Sequence, residues 1–468
     1  MGKMPMPLTG RSLGPLTGIP VPRQQERATE MPRGKQTITR RSFLKGAAVV
    51  AAGFTIVPRH VLGGAGFTPP SDIITHAVIG IGGMGSGHVS MVLGDRESRL
   101  LAVCDVDAGH LANGLRMAGR GGKDCKGYAD FRDVLDRGDI DVAHVATPPH
   151  WHALISIAAG EAGIDIFCEK PMTRTIAEGR KVIDAVQRNG RVFRLNTWFR
   201  FQDGLYGFGS PAKPVKKLVS SGLLGWPLTV RVSPFTGFDW KVNMWSGKTN
   251  VAPEKVPDGF DYDRWLGPAP YKPYFGHRTH GSFRGYWDYD GGGLADMGQH
   301  YLDPVQYILG KDDTSPVEIE AYAPWPTHPD ACGPWGQVTL TYADGCRIIL
   351  ESGEWGKTET RDKPYVEGPK GSLYKGFRTD PPELAEMVSQ MPDPEPMITN
   401  FLESVRTRKK FALNEVNGNR SNLLVHLANA AIRTGRKLKF DPVAQRFIGD
   451  EGANRLADQP MRAPWRLE

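Results

Sequence analysis

The feature that most constrains this chain is Gly80-Ile81-Gly82-Gly83-Met84-Gly85, a GxGxxG run between an apolar stretch, Ile73–Ile81, and a segment of helical period beginning at Gly85. Such a run is weak evidence alone. Between a strand and a helix it becomes specific, because the glycines let the backbone approach a pyrophosphate at a helix N-terminus. Gly80, Gly82, Gly83, Met84 and Gly85 are therefore the expected cradle of a dinucleotide. Asp105 stands twenty residues beyond Gly85, at the end of the next apolar run, Leu100–Val106. A carboxylate there accepts hydrogen bonds from a ribose 2′-hydroxyl and repels a 2′-phosphate, which favours NAD over NADP. Asp107 is its rival for that role.

The same alternation continues. Val142–Thr147, Asp165–Cys168 and Val192–Asn196 read as further strands. Gly85–Gly94, Ala108–Ala118, Phe131–Arg137, His152–Ala162 and Thr175–Arg188 read as helices between them. Short apolar runs alternating with helical segments predict an α/β domain, a doubly wound parallel sheet, over residues 72–195. Residues 196–468 read differently: Thr229–Pro234, Val317–Tyr322, Gln337–Tyr342 and Arg347–Ser352 are β-rich and widely spaced, predicting an α+β domain on a mostly antiparallel sheet. Residues 237–286 are irregular and rich in Gly, Pro and aromatics, the mark of an insertion or lid. A chain of 468 residues is long enough for two such cores.

The formal charge of +7 suggests nucleic acid or a membrane surface until it is located. Nine basic and two acidic side chains fall in residues 1–45, and from residue 46 onward 49 basic and 49 acidic residues cancel. The body is neutral, which excludes a nucleic-acid role based on basic patches. The tail carries Arg40-Arg41-Ser42-Phe43-Leu44-Lys45 and then twelve uncharged residues, Gly46–Val57. A charged stretch before a short apolar run is an export signal, and the paired arginines resemble the twin-arginine motif. Residues 1–71 are thus expected to be signal and linker, with the twin-arginine translocase as partner and the periplasm as destination. An ordinary signal peptide or membrane anchor is the alternative. Five cysteines without CxxC spacing offer neither a zinc signature nor a disulfide framework.

Two further motifs carry chemistry. Glu169-Lys170-Pro171 follows the Asp165–Cys168 strand directly, where residues face the ligand crevice of such a sheet. A lysine there can hydrogen-bond a reacting hydroxyl and stabilise alkoxide character. In Gly291-Gly292-Gly293-Leu294-Ala295-Asp296-Met297-Gly298-Gln299-His300, a helix from Leu294 puts Asp296 and His300 four apart on one face. A histidine of near-neutral pKa suits taking a proton from a hydroxyl, with Asp296 orienting it. The triglycine is expected to let this helix pack against the cofactor domain. A buried structural histidine and a metal pair are the alternatives, although no further metal ligands are identifiable.

Taken together, GIGGMG, CDVD, ATPPHWH, CEKP and GGGLADMGQHYLD, in this order and spacing, resemble the Gfo/Idh/MocA oxidoreductase family. The resemblance runs from about residue 72 to the C-terminus, including Gly435-Arg436-Lys437-Leu438 and the Trp465 tail. It implies that Lys170, Asp296 and His300 are catalytic and that Thr147, Pro148, His152 and Glu169 line the dinucleotide. It also implies an open-faced second sheet that mediates a homodimer or homotetramer. The substrate it implies is a sugar or polyol. Trp198, Arg200, Trp240, Trp245, Arg278, His280, Arg284 and Trp287 are candidate sugar contacts, with a scaffold or surface role the favoured alternative for any one of them. The periplasm lacks an appreciable free NAD pool, so export predicts a cofactor carried bound and recycled in place. A NAD-dependent glycosidase or epimerase using transient sugar oxidation is the alternative, and a non-catalytic NAD-containing sugar-binding protein is a third.

Overall fold

The computed structural model describes residues 69, 72–119, 124–197, 211–358 and 360–467. The described residues all belong to one compact unit. Its first sheet comprises β1 (Ile74–Ile79), β2 (Ser98–Cys104), β3 (Lys126–Tyr128), β4 (Val142–Val145), β5 (Asp165–Glu169) and β6 (Phe193–Asn196). All its pairings are parallel, in the order β3-β2-β1-β4-β5-β6. This is the doubly wound order, whose ligand crevice opens where the winding reverses between β1 and β4. Apart from the edge strand β3, the strands are largely buried, since crossover helices cover both faces: α1 (Gly83–Gly94), α2 (Ala108–Ala118), α3 (Phe131–Leu135), α4 (His152–Glu161) and α5 (Ile176–Arg188). The sequence reading missed only β3, whose Lys-Gly-Tyr is too short and too exposed to leave an apolar signature.

The second sheet has nine strands among the described residues: β7 (Thr229–Val232), β8 (Glu318–Tyr322), β9 (Gln337–Thr341), β10 (Arg347–Glu351), β11 (Val366–Gly368), β12 (Gly371–Tyr374), β13 (Arg378–Asp380), β14 (Leu438–Asp441) and β15 (Arg446–Phe447). They lie in the order β13-β12-β11-β7-β10-β9-β8-β14-β15, and only the β7–β10 pair is parallel. The expected mostly antiparallel α+β domain is therefore present.

Three elements build the crevice from the second half of the chain. The short helix α6 (Tyr262–Leu266) lies within the 237–286 insertion. The insertion has its own apolar cluster of Phe260, Tyr262, Trp265, Leu266, Tyr274 and Phe275, so this irregular segment is internally cored. Helix α7 (Gly292–Leu309) is buried along almost its whole length and packs beside α8 (Glu415–Thr434). Gly298 permits that approach, because a Cβ there would meet Val425 at 2.9 Å. The triglycine serves a different contact from the one expected. A Cβ at Gly293 would stand 2.1 Å from the Trp240 carbonyl, and one at Gly291 would stand 2.4 Å from Asn429, so these glycines admit the insertion and α8 rather than the cofactor domain. The C-terminal part also returns to the first sheet. Phe401, Phe411 and Leu413 join its core, and Arg408 pairs with the buried Asp165.

Candidate active site

One cavity of about 470 Å³ spans the crevice, within the size range of ligand sites. Its floor is the glycine loop. Gly80 has φ +89°, and a Cβ there would meet Thr147 N at 2.7 Å. At Gly85 a Cβ would fall 1.7 Å from the Gly80 carbonyl, so only glycine lets α1 start against the turn. Gly82 and Gly83 line the cavity with nothing within 4 Å of the position a Cβ would take, and the N-terminus of α1 has no side-chain cap. Open space beside uncapped helix N–H groups fits a pyrophosphate. Met84, Thr147 and Pro148 also line this cavity.

Asp105 reaches the same loop. Its Oδ2 accepts from Ile81 N at 2.6 Å and lies 3.5 Å from His110 Nδ1, while its Oδ1 accepts from Asp107 N at 2.9 Å, which leaves Oδ1 a lone pair for a ribose hydroxyl. Asp107 is committed elsewhere, because its Oδ1 caps α2 by accepting from Gly109 N and His110 N. Glu169 lines the cavity, and its Oε1 accepts from Asn196 Nδ2 at 2.6 Å and lies 2.8 Å from His88 Nε2. Burial opposes its ionisation, but His88 and Asn196, with Lys170 nearby, more than offset this and hold its pKa below the ordinary value. Behind His88 a buried row of rings, His144 and His76, continues at 2.9 and 3.0 Å. His152 does not reach the cavity: its ring nitrogens face the Pro171 and Thr147 carbonyls, each at 2.7 Å, and tie two cavity loops together.

The other end of the cavity is charged. Lys170 Nζ donates to the Asp296 carbonyl at 2.8 Å and to Asp296 Oδ1 at 2.7 Å. Arg284 Nε donates to the same Oδ1 at 2.6 Å, while its guanidinium lies between Trp245 and Phe283. Burial opposes ionisation of Asp296, and the two cations overcome it, holding the carboxyl far below the usual range. This changes the expected pairing. Asp296 turns to Lys170 and Arg284 rather than orienting His300. Among the described residues that line the cavity are Lys170 and Asp296 but not His300, which lies one helical turn deeper. Burial and the charge of Lys170 push the pKa of His300 down to about 3, so the imidazole is neutral and a weak base, not the near-neutral one expected.

The candidate sugar contacts separate sharply. Trp245, His280 and Arg284 line the cavity. Trp240 is fully buried against Tyr301 and Trp335. Arg278 makes a two-pronged pair with Asp330, and Trp287 donates its Nε1 to the His328 carbonyl, so both are framework residues. Trp198 and Arg200 lie outside the described residues. Sequence reasoning missed Asp290, which lines the charged end, and did not foresee how the insertion docks. Ala108 N donates to Gly259 O at 2.9 Å, and Asp261 N donates to Val106 O at 3.0 Å. His150 Nε2 and Trp151 Nε1 lie 2.9 and 3.0 Å from the Trp265 carbonyl. Phe260, Arg264 and Trp265 thereby roof the part of the cavity beside Asp105.

Comparison with known proteins agrees with this layout. Residues 74–197 match the oxidoreductase-family NAD-binding Rossmann fold, and residues 208–467 match the family's C-terminal alpha/beta domain. The chain belongs to the Gfo/Idh/MocA oxidoreductase family. Residues 37–56 match the twin-arginine translocation signal, so this family member carries an address for export by that route. Inositol 2-dehydrogenase of Salmonella paratyphi B is 31% identical over 155 residues, which is 33% of this chain and 43% of that one. A glycosyl hydrolase family 109 protein of Shewanella pealeana is 29% identical over 170 residues, 32% of this chain and 37% of the relative. The chain thus spans under half the length of these curated relatives. The WlbA dehydrogenase of Bordetella pertussis, solved with NADH and UDP-GlcNAcA, shares the fold with a TM-score of 0.52 at 18% identity, covering 79% of this chain and 99% of that one.

Proposed function

We propose that this family member is an exported NAD-dependent oxidoreductase that acts on a hydroxyl of a sugar or polyol and keeps its cofactor bound between turnovers. The observation that carries the reading is the Lys170–Asp296 pair, 2.7 Å apart, in the same cavity as the glycine cradle. Gly82, Gly83 and the N-terminus of α1 would hold the pyrophosphate and Asp105 the ribose hydroxyls, with Met84, Thr147, Pro148 and Glu169 lining the rest. When bound, the nicotinamide supplies the hydride acceptor. Two of the three Nζ positions of Lys170 point to Asp296, which leaves the third for the substrate oxygen. As a carbonyl is reduced the ammonium would give that oxygen its third proton, and in the oxidative direction the same nitrogen, having lost that proton, would take the hydroxyl proton. Asp296 keeps that cation buried and aimed. Trp245, Phe283 and Arg284 form the wall a sugar ring would meet.

The roof over the Asp105 end supports cofactor retention, since Phe260, Arg264 and Trp265, held by the Gly259, Asp261 and Trp265 backbone contacts, cover the part of the cavity where the ribose would lie. Denaturing release of nucleotide from extensively dialysed protein, read by mass spectrometry, should give stoichiometric NAD(H); empty protein would refute retention. Trp265→Ala removes a ring from the insertion's apolar cluster, and dialysed Trp265→Ala should lose most of its nucleotide while keeping its fold by circular dichroism. Asp105→Asn cannot repel a 2′-phosphate, so the NAD-over-NADP preference should shrink about tenfold or more, and an unchanged preference in competitive binding would remove Asp105 from the ribose role.

The family 109 match favours a second reading, in which transient oxidation of a sugar serves bond cleavage or epimerisation. A sugar panel that returns cleaved or inverted products without net reduced product supports it over hydride transfer from one substrate to another through the retained cofactor. We further propose a homodimer or homotetramer through the side of the second sheet where Tyr322 and Trp325 are exposed. A monomeric mass by light scattering would refute that assembly.

A further inference from the structure

The charged end of the cavity holds two carboxyl groups and two cations, but the pairing is lopsided. Lys170 and Arg284 both donate to Asp296 Oδ1. Asp290, six residues earlier, is half-buried and lines the same wall; its Oδ1 is closed off and has no hydrogen-bond partner among the described residues, so only its Oδ2 could face the cavity. The groups facing it come from several elements. Asp296 lies on α7, Arg284 on the turn before it, Lys170 at the end of β5, and the thiol of Cys332 on the loop opposite. Asn429, His426 and Arg433 of α8 line a smaller cavity of about 40 Å³ that Asp290 also borders, and the Arg433 guanidinium lies over Trp287.

A buried carboxylate without a cation is costly, and an ionised neighbour raises that cost further. Asp296 is that neighbour. Burial and its negative charge raise Asp290 to about 8, against the partial help of Arg284, Lys170 and the Gly291 backbone N–H. Two nearby carboxyl groups pushed in opposite directions have distinct roles: one stays an anion and the other carries a proton. An ionised acid only accepts hydrogen bonds, whereas a neutral one also donates.

We propose that Asp290 is a hydrogen-bond-donating residue of this pocket, a neutral carboxylic acid that presents its proton from Oδ2 to a substrate oxygen beside Lys170, with Oδ1 withdrawn from solvent. The inference rests on the reading that the Lys170 end of the cavity takes the substrate. It gives that end two unlike donors, an ammonium already neutralised by Asp296 and an uncharged acid. Such a pair suits an uncharged polyol with two adjacent oxygens.

The test has an arm that needs no substrate. Infrared difference spectra of the purified full-length chain should show the carbonyl stretch of a protonated carboxylic acid at neutral pH. That band should fade with a midpoint near the value above and be absent from Asp290→Asn. A wild-type spectrum identical to that of Asp290→Asn across the titration would overturn the proposal, even if no sugar is ever found to react. The second arm uses whichever sugar or polyol the panel identifies. Asn keeps a neutral donor at the position, so Asp290→Asn should stay within a few-fold of wild type and lose the alkaline pKa from its pH profile. Asp290→Ala, with no donor, should lose about tenfold or more in kcat/KM. An Asn variant as impaired as the Ala variant would mean that the charged carboxylate is the working form, which also overturns the proposal. A panel that finds no substrate would count against the proposed function and leaves the infrared result to decide Asp290.

Discussion

Replacing Lys170 with Met is expected to lower kcat by about 10²- to 10³-fold while leaving bound nucleotide in place, because it removes a preorganised donor to developing negative charge. The side chains are of similar length, so the cavity keeps its shape and the glycine cradle is untouched. Nucleotide release and turnover should therefore separate, and that separation is the informative readout. Turnover close to wild type would remove Lys170 from the chemistry. Loss of nucleotide together with turnover would make it a scaffold residue instead. Stability should also fall by about 3 kcal/mol, since one partner of a buried ion pair is removed while Arg284 still donates to Asp296 at 2.6 Å. The pH dependence has a definite sign. The folded pKa of Asp296 is depressed, so its contribution is present above the unfolded carboxyl value of about 3.9 and is lost as pH falls through the lower folded value. Without Lys170 the folded value rises, and acid unfolding of Lys170→Met should begin at higher pH than in wild type.

The second large effect is expected at Gly85. A Cβ there would lie 1.7 Å from the Gly80 carbonyl oxygen, and Gly80 cannot retreat, because its own N–H donates to the Cys104 carbonyl at 2.8 Å and its other side abuts Ala146 and Thr147. In Gly85→Ala the start of α1 must move away from the turn, which displaces the cradle. Nucleotide affinity should fall about 100-fold or more, equivalent to roughly 2.7 kcal/mol, with a lowered melting temperature. Gly82→Ala provides the contrast. Its Cβ enters open space in the cavity, so it should cost nucleotide binding but little stability. If Gly85→Ala retained stoichiometric nucleotide, the loop would not be the pyrophosphate cradle. If Gly82→Ala also retained it, the cofactor would lie elsewhere.

The sequence carried the scaffold because scaffold signals are local. A parallel strand buried on both faces must be a short apolar run, and a crossover helix must show helical period, so β1, β2, β4, β5 and β6 were all visible. A GxGxxG run between strand and helix, an aspartate at the end of β2, a lysine just past β5 and an Asp–His pair at helical spacing on α7 could each be placed by counting. Five strands of the second sheet, β11 to β15, are two to four residues long and carry too little pattern to be read in advance.

What only the tertiary structure decided is which of these groups meet. Lys170 and Asp296 are 126 residues apart, and nothing local in either motif says that the carboxylate turns to the lysine and to Arg284 instead of to the histidine on its own helix. The same holds for Asp290, whose proposed unlike state follows from the cations being taken by a neighbour, and for Trp240, Arg278 and Trp287, which sequence left open between sugar contact and scaffold and packing made framework. His152 stood beside the cofactor motifs in sequence and turned its ring to two carbonyls. The insertion was visible as a long irregular loop, yet its place as a roof depends on backbone bonds to Val106 and Ala108 across the crevice. Periodicity fixes which residues face inward, because it reflects one element and one buried face. Pairing and protonation state depend on charges and dielectric from several elements at once, and these exist only when the two cores close on the same cavity.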